Sequence, residues 1–273
     1  MKIVTLMDNL SVSSELKSKH GLSFYIETRN HKILFDMGPD TGFAKNAKKL
    51  GIDLAEVDLA FLSHGHYDHG GGLEAFLREN QKASVHIQKS ALGSLWAVTP
   101  EEKRYIGLPD IWRNNSRVVV HAGDYWPDVD LQVVSDVTER TCYSPLNHRL
   151  FAEVNGEYIP DSFMHEQSLL IREGNKTVLF AGCAHSGLVN IMKKAQMVSD
   201  NPIYAAFGGM HLHKAFAEEA RQKQFCQQMA AKLKEYSCYY YTGHCTGTEA
   251  YEMLREEMGD QIQYMAAGHM VIL

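Results

Sequence analysis

Histidine is the residue type that marks this chain, with 14 in 273 residues, and imidazole is the commonest protein metal ligand. At four places an apolar run ends in a glycine-flanked histidine. These are Leu62-Ser63-His64-Gly65-His66-Tyr67-Asp68-His69-Gly70-Gly71-Gly72, Phe180-Ala181-Gly182-Cys183-Ala184-His185-Ser186-Gly187, Phe207-Gly208-Gly209-Met210-His211 and Tyr241-Thr242-Gly243-His244-Cys245-Thr246-Gly247. The first has the spacing H-x-H-x-D-H. On an extended backbone residues i and i+2 point the same way, so His64 and His66 can hold one ion from one side. Asp68 and His69 follow as the chain turns into a helix. Adding His185 and His244 completes two sets of three ligands: His64, His66 and His185 for one ion, Asp68, His69 and His244 for the other. Nitrogen and carboxylate donors suit zinc, and also manganese or iron. Three protein ligands per ion leave a position open for water, the mark of a catalytic site. The bland alternative is a solvated turn that happens to be rich in histidine.

Other residues carry weaker signals. Asp68 is expected to orient the nucleophile and help move its proton, and His211 to contact substrate or donate a proton. Asp36 ends a strand and is expected to orient a ligand histidine through its far ring nitrogen, or else simply to end the strand. Cys183 and Cys245 flank ligands; they read as small buried hydrophobes, with thiolate coordination as the alternative. Asp8 and Asn9 either line the site or form a plain turn. His165 precedes the strand Ser168–Arg172 and competes with His185 as third ligand of the first ion. His185 is preferred because only it has the glycine-flanked strand-end setting. His20, His31, His86, His121, His148, His213 and His269 lack that setting and read as surface or packing residues.

The elements that must position these groups are legible in part. Strands are expected at Lys2–Met7, Leu22–Thr28, Lys32–Asp36, Leu59–Ser63, Ala83–Ile87, Arg117–His121 and Leu131–Val134, with helices at Thr41–Leu50 and Gly72–Asn80. Ser168–Arg172 and Thr177–Ala181 form a hairpin around Glu173-Gly174-Asn175. After it strands at Ile203–Phe207 and Cys238–Tyr241 alternate with helices at Leu188–Val198, Ala215–Glu235 and Thr248–Met258. Gln263–Met265 and Met270–Leu273 close a sheet edge. The stretch from about 89 to 163 is irregular, with a helix at Ser90–Ala97 and loops over Pro100–Asn115, and suits a lid or binding loop. No linker breaks the chain, so residues 1–273 read as one α/β domain. In α/β sheets, sites form beyond the carboxyl ends of strands, and helix N-termini there favour anions.

The net charge of -6, from 27 basic and 33 acidic residues, gives nothing toward nucleic-acid binding, which needs clustered positive charge. No run of about 18 apolar residues exists to span a membrane. The opening run Met1–Met7 does not have the make-up of a signal peptide. Five cysteines, an odd count with no C-x-x-C pair, point to reduced thiols in the cytoplasm. Oligomeric state is not readable.

Ser63 to Gly72 resembles the metal-binding signature of metallo-β-lactamase-fold hydrolases, and Phe35-Asp36-Met37-Gly38 matches that superfamily's Asp-x-Gly turn. Gly182 to Gly187, Gly208-Gly209-Met210-His211-Leu212 and Gly243 to Gly247 resemble its dihydropteroate-synthase-like, or β-ribofuranosylaminobenzene phosphate synthase-like, branch. The resemblance implies a four-layer αββα sandwich of two mixed sheets with helices outside, and a dinuclear metal site at one edge. One departure stands out: where many dinuclear members carry a bridging Asp, this chain has Gly182-Cys183-Ala184-His185. The leading expectation is a dinuclear hydrolase using hydroxide on a small anionic ester, phosphodiester or lactone. The alternatives are a synthase or transferase acting on a pterin or aminobenzoate with a phosphorylated ribose donor, and a non-enzymatic metal-dependent binding protein.

Overall fold

A computed structural model describes residues 1–273. In chain order the elements are β1 (Lys2–Met7), β2 (Ser23–Glu27), β3 (Lys32–Phe35), α1 (Gly42–Lys49), β4 (Leu59–Phe61), α2 (Tyr67–Gly70), α3 (Leu73–Glu79), β5 (Ser84–Gln88), β6 (Ser94–Val98), β7 (Lys103–Tyr105), β8 (Val118–His121), β9 (Tyr125–Asp128), β10 (Leu131–Ser135), β11 (Leu150–Val154), β12 (Glu157–Pro160), β13 (Gln167–Glu173), β14 (Lys176–Phe180), α4 (Leu188–Val198), β15 (Ile203–Phe207), α5 (Glu219–Leu233), β16 (Tyr239–Thr242), α6 (Thr248–Met258), β17 (Ile262–Tyr264) and β18 (Met270–Ile272). Two compact units interleave along the sequence. The first comprises Met1–Ala122, His148–His165 and Ala266–Leu273; the second comprises Gly123–Asn147 and Glu166–Met265.

The first unit holds a seven-stranded sheet of order β18-β1-β2-β3-β4-β5-β8. Pairing is antiparallel from β18 to β3 and parallel from β3 to β8. Parallel neighbours need crossovers, and α1 and α3 supply two of them. Their apolar sides, Phe43, Ala47, Leu73 and Phe76, pack on Leu6, Leu34, Ala60 and Val85. The alternate residues Ile26, Ile33, Phe35 and Phe61 are also fully buried. Burial on both faces explains why these strands read as continuous apolar runs. Because β3 and β4 are parallel with Phe35 opposite Phe61, Asp36 and the His64–His69 segment leave the sheet at one edge.

A second sheet in this unit, β12-β11-β6-β7, is antiparallel throughout. The expected helix at Ser90–Ala97 does not form: Lys89–Leu92 is one 3-10 turn and Ser94–Val98 is strand β6. The deciding contacts are remote. Ser94 to Ala97 pair with Glu153 to Leu150 on β11, and Trp96 packs edge-on against Tyr105 and Tyr158. Cross-strand packing overrides local preference here. It also draws Lys103–Tyr105, expected as loop, into β7.

The second unit repeats the strand-direction pattern in its sheet of order β17-β16-β15-β14-β13-β10-β9. Pairing is antiparallel from β9 to β14 and parallel from β14 to β17. The β13–β14 hairpin forms as expected, with Glu173 opposite Lys176. Met192 of α4, Met229 of α5 and Leu254 of α6 bury Leu179, Ala206 and Tyr240. On the other face Phe207 stacks on Phe180 and Tyr241 at 5.1 and 4.4 Å. α5 begins at Glu219 rather than Ala215; Gln222 reaches back to the Phe216 amide and the Leu212 carbonyl and holds the preceding residues as a loop. Since β14, β15 and β16 are parallel, the segments carrying His185, His211 and His244 all leave one edge. No helix is long and apolar enough to cross a membrane.

His86 on β5 stacks on His121 of β8, with Nδ1 of His86 3.0 Å from Nε2 of His121 and its own Nε2 2.8 Å from Ser84 Oγ. Both act as packing residues, as expected. Burial, with the His121 imidazole adding to it, lowers His86 from 6.5 to about 4. The unfolded chain therefore takes up the proton first. The stability linked to this group is present above pH 6.5 and is lost as pH falls toward 4. After allowance for partial solvent access it amounts to about 1–2 kcal/mol. Urea midpoints measured between pH 7 and 4 should fall less steeply in His86→Gln than in the parent; equal slopes would assign the acid sensitivity elsewhere.

Candidate metal centre

The first half of the centre is built around a carboxylate. Asp36 follows β3 with φ of 60° and is wholly buried. Its Oδ1 accepts the Ser63 amide at 2.7 Å, and its Oδ2 accepts Ser63 Oγ at 2.7 Å and His69 Nδ1 at 2.6 Å. A carboxylate can only accept, so His69 carries its proton on Nδ1 and presents the lone pair of Nε2. Ser63 Oγ also lies 2.8 Å from His64 Nδ1. With its own hydrogen donated to Asp36, the hydroxyl accepts there, which puts the His64 proton on Nδ1 and its lone pair on Nε2. One buried carboxylate thus sets two imidazoles in the tautomer that binds metal through Nε2. Asp36 thus fixes His69 directly and His64 through Ser63; Ser63, the relay, heads the histidine-rich signature, but the sequence assigned it no role.

His64 Nε2 lies 3.0 Å from His66 Nδ1. Two nitrogens bound tetrahedrally to one zinc at about 2.0–2.1 Å stand roughly 3.3 Å apart, so this pair fits a shared ion. Burial pushes the His66 imidazole down to about 3, with neighbouring His165 adding to the effect, which keeps it neutral as a ligand must be. Asp68, at the start of α2, has Oδ2 3.2 Å from His20 Nε2 and 3.8 Å from His69 Nε2. His20 in turn faces Asn9 Nδ2 across 3.4 Å. His20 is therefore not a plain surface residue: its ring is half exposed, but its inner nitrogen holds Asp68. Asn9 reaches the site through it, and Asp8 serves as a turn residue whose Oδ1 accepts the Leu10 amide at 2.9 Å.

His165 belongs to the same unit. Its Nδ1 accepts the Gly65 amide at 3.2 Å and its Nε2 donates to Asp161 at 2.9 Å. Burial alone would raise the Asp161 carboxyl, but His165 beside it holds it at about 2. Donor atoms of His66, Asp161 and His165 lie within 4.8 Å of one another, yet the two hydrogen bonds occupy both ring nitrogens of His165. The ring is a brace for the His64-Gly65-His66 turn. Gly65 is required in that turn, because a Cβ there would overlap the Ala91 carbonyl.

In the second unit Asn147 grips His185 at two points. Its Nδ2 donates to the His185 carbonyl at 2.8 Å and its Oδ1 lies 2.9 Å from His185 Nδ1. The first bond orients the amide, so the second has Nδ1–H as donor and leaves the lone pair on Nε2. Glu166 accepts the His185 and Ser186 amides at 2.6 and 2.8 Å. Neither Asn147 nor Glu166 was singled out in the sequence, and Asn147 had no local signal at all. The His211 ring lies 4.3 Å from that of His185, and its amide donates to Cys245 Sγ at 3.3 Å. Donor atoms of Cys183, His211 and Cys245 lie within 4.8 Å of one another. Both thiols are buried. Burial would raise the Cys245 thiol, but its hydrogen bond with Cys183 and the His244 and His211 imidazoles bring it well below its usual range.

His244 and His211 have φ of 48° and 51°, and Ala184 beside His185 has 53°. With Asp36, four of the nine non-glycine residues of positive φ stand at these strand ends. Such conformations cost on the order of 1–3 kcal/mol each and persist where surrounding structure imposes them.

A family model described as the metallo-beta-lactamase superfamily matches residues 19–205. The chain belongs to this superfamily. Among its relatives is a 7,8-dihydropterin-6-methyl-4-(beta-D-ribofuranosyl)-aminobenzene-5'-phosphate synthase of Methanocaldococcus jannaschii, 27% identical across 99% of this chain and 96% of its own length. Tm1679, described as a metal-dependent hydrolase of the beta-lactamase superfamily, superposes with a TM-score of 0.83 at 28% identity, covering 100% of this chain and 99% of that one. The metallo-beta-lactamase fold protein YhfI of Bacillus subtilis shares the fold alone, with a TM-score of 0.53 at 9% identity over 99% of this chain and 98% of that one. The mixed sheets and helices described above are those of the metallo-beta-lactamase fold. The superfamily implies divalent metal binding, and the donors present fit it.

Asp36→Asn removes the acceptor that sets two tautomers. Competition with a chromophoric chelator should show zinc affinity lowered about 10–100-fold, with far-UV dichroism retained; unchanged affinity would make Asp36 only a strand terminator.

Proposed function

We propose that this protein is a dinuclear metal-dependent hydrolase of a small anionic ester, phosphodiester or lactone. The supporting observation is the pair of nitrogens, His64 Nε2 and His66 Nδ1, 3.0 Å apart beside a His69 set in its ligand tautomer by Asp36. The likeness to Tm1679 across the whole chain adds to it. His64, His66 and His185 are the ligands of one ion, and Asp68, His69 and His244 those of the other. Zinc suits this donor set, and manganese or iron is compatible with it. Bound there, two divalent ions supply Lewis acidity toward a substrate oxygen and toward water.

The chain's own residues do the rest. Asp68, steadied by His20, accepts and passes on a proton. His211, packed against His185, contacts substrate or donates the proton that a leaving group requires. The α4 and α6 helices begin directly after the His185 and His244 segments without side-chain caps, and the amides of a helix's first turn favour an anionic substrate. A second reading, a synthase or transferase on a pterin or aminobenzoate with a phosphorylated ribose donor, is supported by the likeness to the archaeal synthase. Product masses after incubation with either substrate class separate the two.

Elemental analysis should find two metal equivalents per chain. A chelator should abolish hydrolysis of phosphodiester or lactone test substrates, and zinc or manganese should restore it. Asp68→Asn should lower kcat roughly 10²–10⁴-fold with the fold intact. Full activity after rigorous metal removal sinks the proposal. Separately, His185→Ala should lose about one metal equivalent while His165→Ala keeps both; the reverse outcome assigns His165 as ligand.

A further inference from the structure

The first unit contains a cavity of about 390 Å³ that ends at the Asp161–His165 pair. One wall is a cross-strand row of the four-stranded sheet: Leu95 of β6, Ala152 of β11 and Ile159 of β12 sit directly opposite one another. The small side chain of Ala152 on the central strand leaves the space open, and Met164 adds to the apolar lining. The opposite face of the same sheet is filled by Trp96, Tyr105 and Tyr158, with Lys103 3.1 Å from the Tyr158 ring centroid, so only one face is hollow.

The two acids at the cavity already have partners. Glu153 accepts from Trp96 Nε1 at 2.9 Å and Ser94 Oγ at 3.1 Å, and Asp161 is bound to His165. The cations Lys89 and Arg113 also line the cavity; Arg113 pairs with Asp110 at the surface and donates to the Leu92 carbonyl. At the inner end the His165 ring centroid is 5.5 Å from that of His66. The cavity therefore runs from a cationic rim over an apolar wall to a residue in contact with the candidate metal ligands.

We infer that this cavity is a substrate subsite for an amphipathic anion, a ring-sized apolar body with an acidic group at its outer end. It rests on the hydrolase reading only in that the ligand would lie against His165, beside the candidate centre. Size supports the assignment: apolar-lined cavities of about 300–1,000 Å³ are those that bury small organic ligands. Lys89 and Arg113 would select the charge, and Ala152 would set the width.

The test is calorimetric binding of 1-naphthalenesulfonate to the full-length protein as purified, with methanesulfonate and 1-naphthalenemethanol as controls. A sulfonate is neither hydrolysed nor a strong metal ligand, so binding reads the subsite apart from the metal chemistry. The naphthalenesulfonate should bind at least tenfold more tightly than either control, and equally well after chelator treatment. Ala152→Phe should weaken it at least tenfold. Should that variant fail to fold, the surface double variant Lys89→Ala/Arg113→Ala should weaken the sulfonate at least fivefold and leave naphthalenemethanol unchanged. No preference over the controls, or equal binding by the folded variants, overturns the subsite. Loss of binding on chelation would place the probe at the metal centre and also overturn it. A protein that binds the sulfonate as predicted yet holds no metal would refute the hydrolase and leave the subsite standing.

Discussion

The candidate centre depends on one buried carboxylate. Asp36 has no access to solvent, and an isolated carboxylate in that position would be costly. It is stable because a backbone amide, a hydroxyl and an imidazole all donate to it. Each donor is thereby fixed in turn: Ser63 in its rotamer, His69 in its tautomer, and His64 through Ser63. The left-handed backbone at Asp36 is the strain that this network holds in place. Removing the carboxylate would therefore loosen three groups together, which is how residues that contact no metal come to control one.

Geometry at the strand ends follows from sheet direction. In each unit three antiparallel pairings are followed by three parallel ones, and the histidine-bearing turns follow the parallel strands β4, β14, β15 and β16. Parallel strands deliver their carboxyl ends to one edge whatever lies between them. The turns there are compact and contain glycine where backbones meet. At Gly208, with φ of 146°, a Cβ would overlap the Ala181 carbonyl. Such turns place polar side chains with little freedom, which is what a metal centre requires.

Histidines of similar burial have distinct roles, set by their partners. His165 and His185 are both almost fully buried. His165 accepts a backbone amide and donates to a carboxylate, and so acts as a brace. His185 donates through Nδ1 to an amide oxygen and keeps a lone pair on Nε2. His86 and His121 stack on each other and pack a sheet edge. For His165 and His185 burial and residue type are shared; the hydrogen-bond partners differ.

Much of this was legible in the sequence. The H-x-H-x-D-H spacing, the four glycine-flanked strand ends, the β13–β14 hairpin and most strands and helices depend on local periodicity and turn chemistry, which the sequence carries directly. Asp36 was legible as a carboxylate ending a strand; its place beside the motif, 27 residues on, was decided by the parallel pairing of β3 and β4. Other features were decided only by tertiary structure. Ser94–Val98 became a strand because β11, more than fifty residues away, offered partners. His20 met Asp68, Asn147 met His185 and Gly65 met His165 across separations of 48, 38 and 100 residues. The composition of a segment does not encode its remote partners. A tautomer, a brace or a hollow sheet face is a property of pairs and rows of residues, and those exist only after the chain has folded.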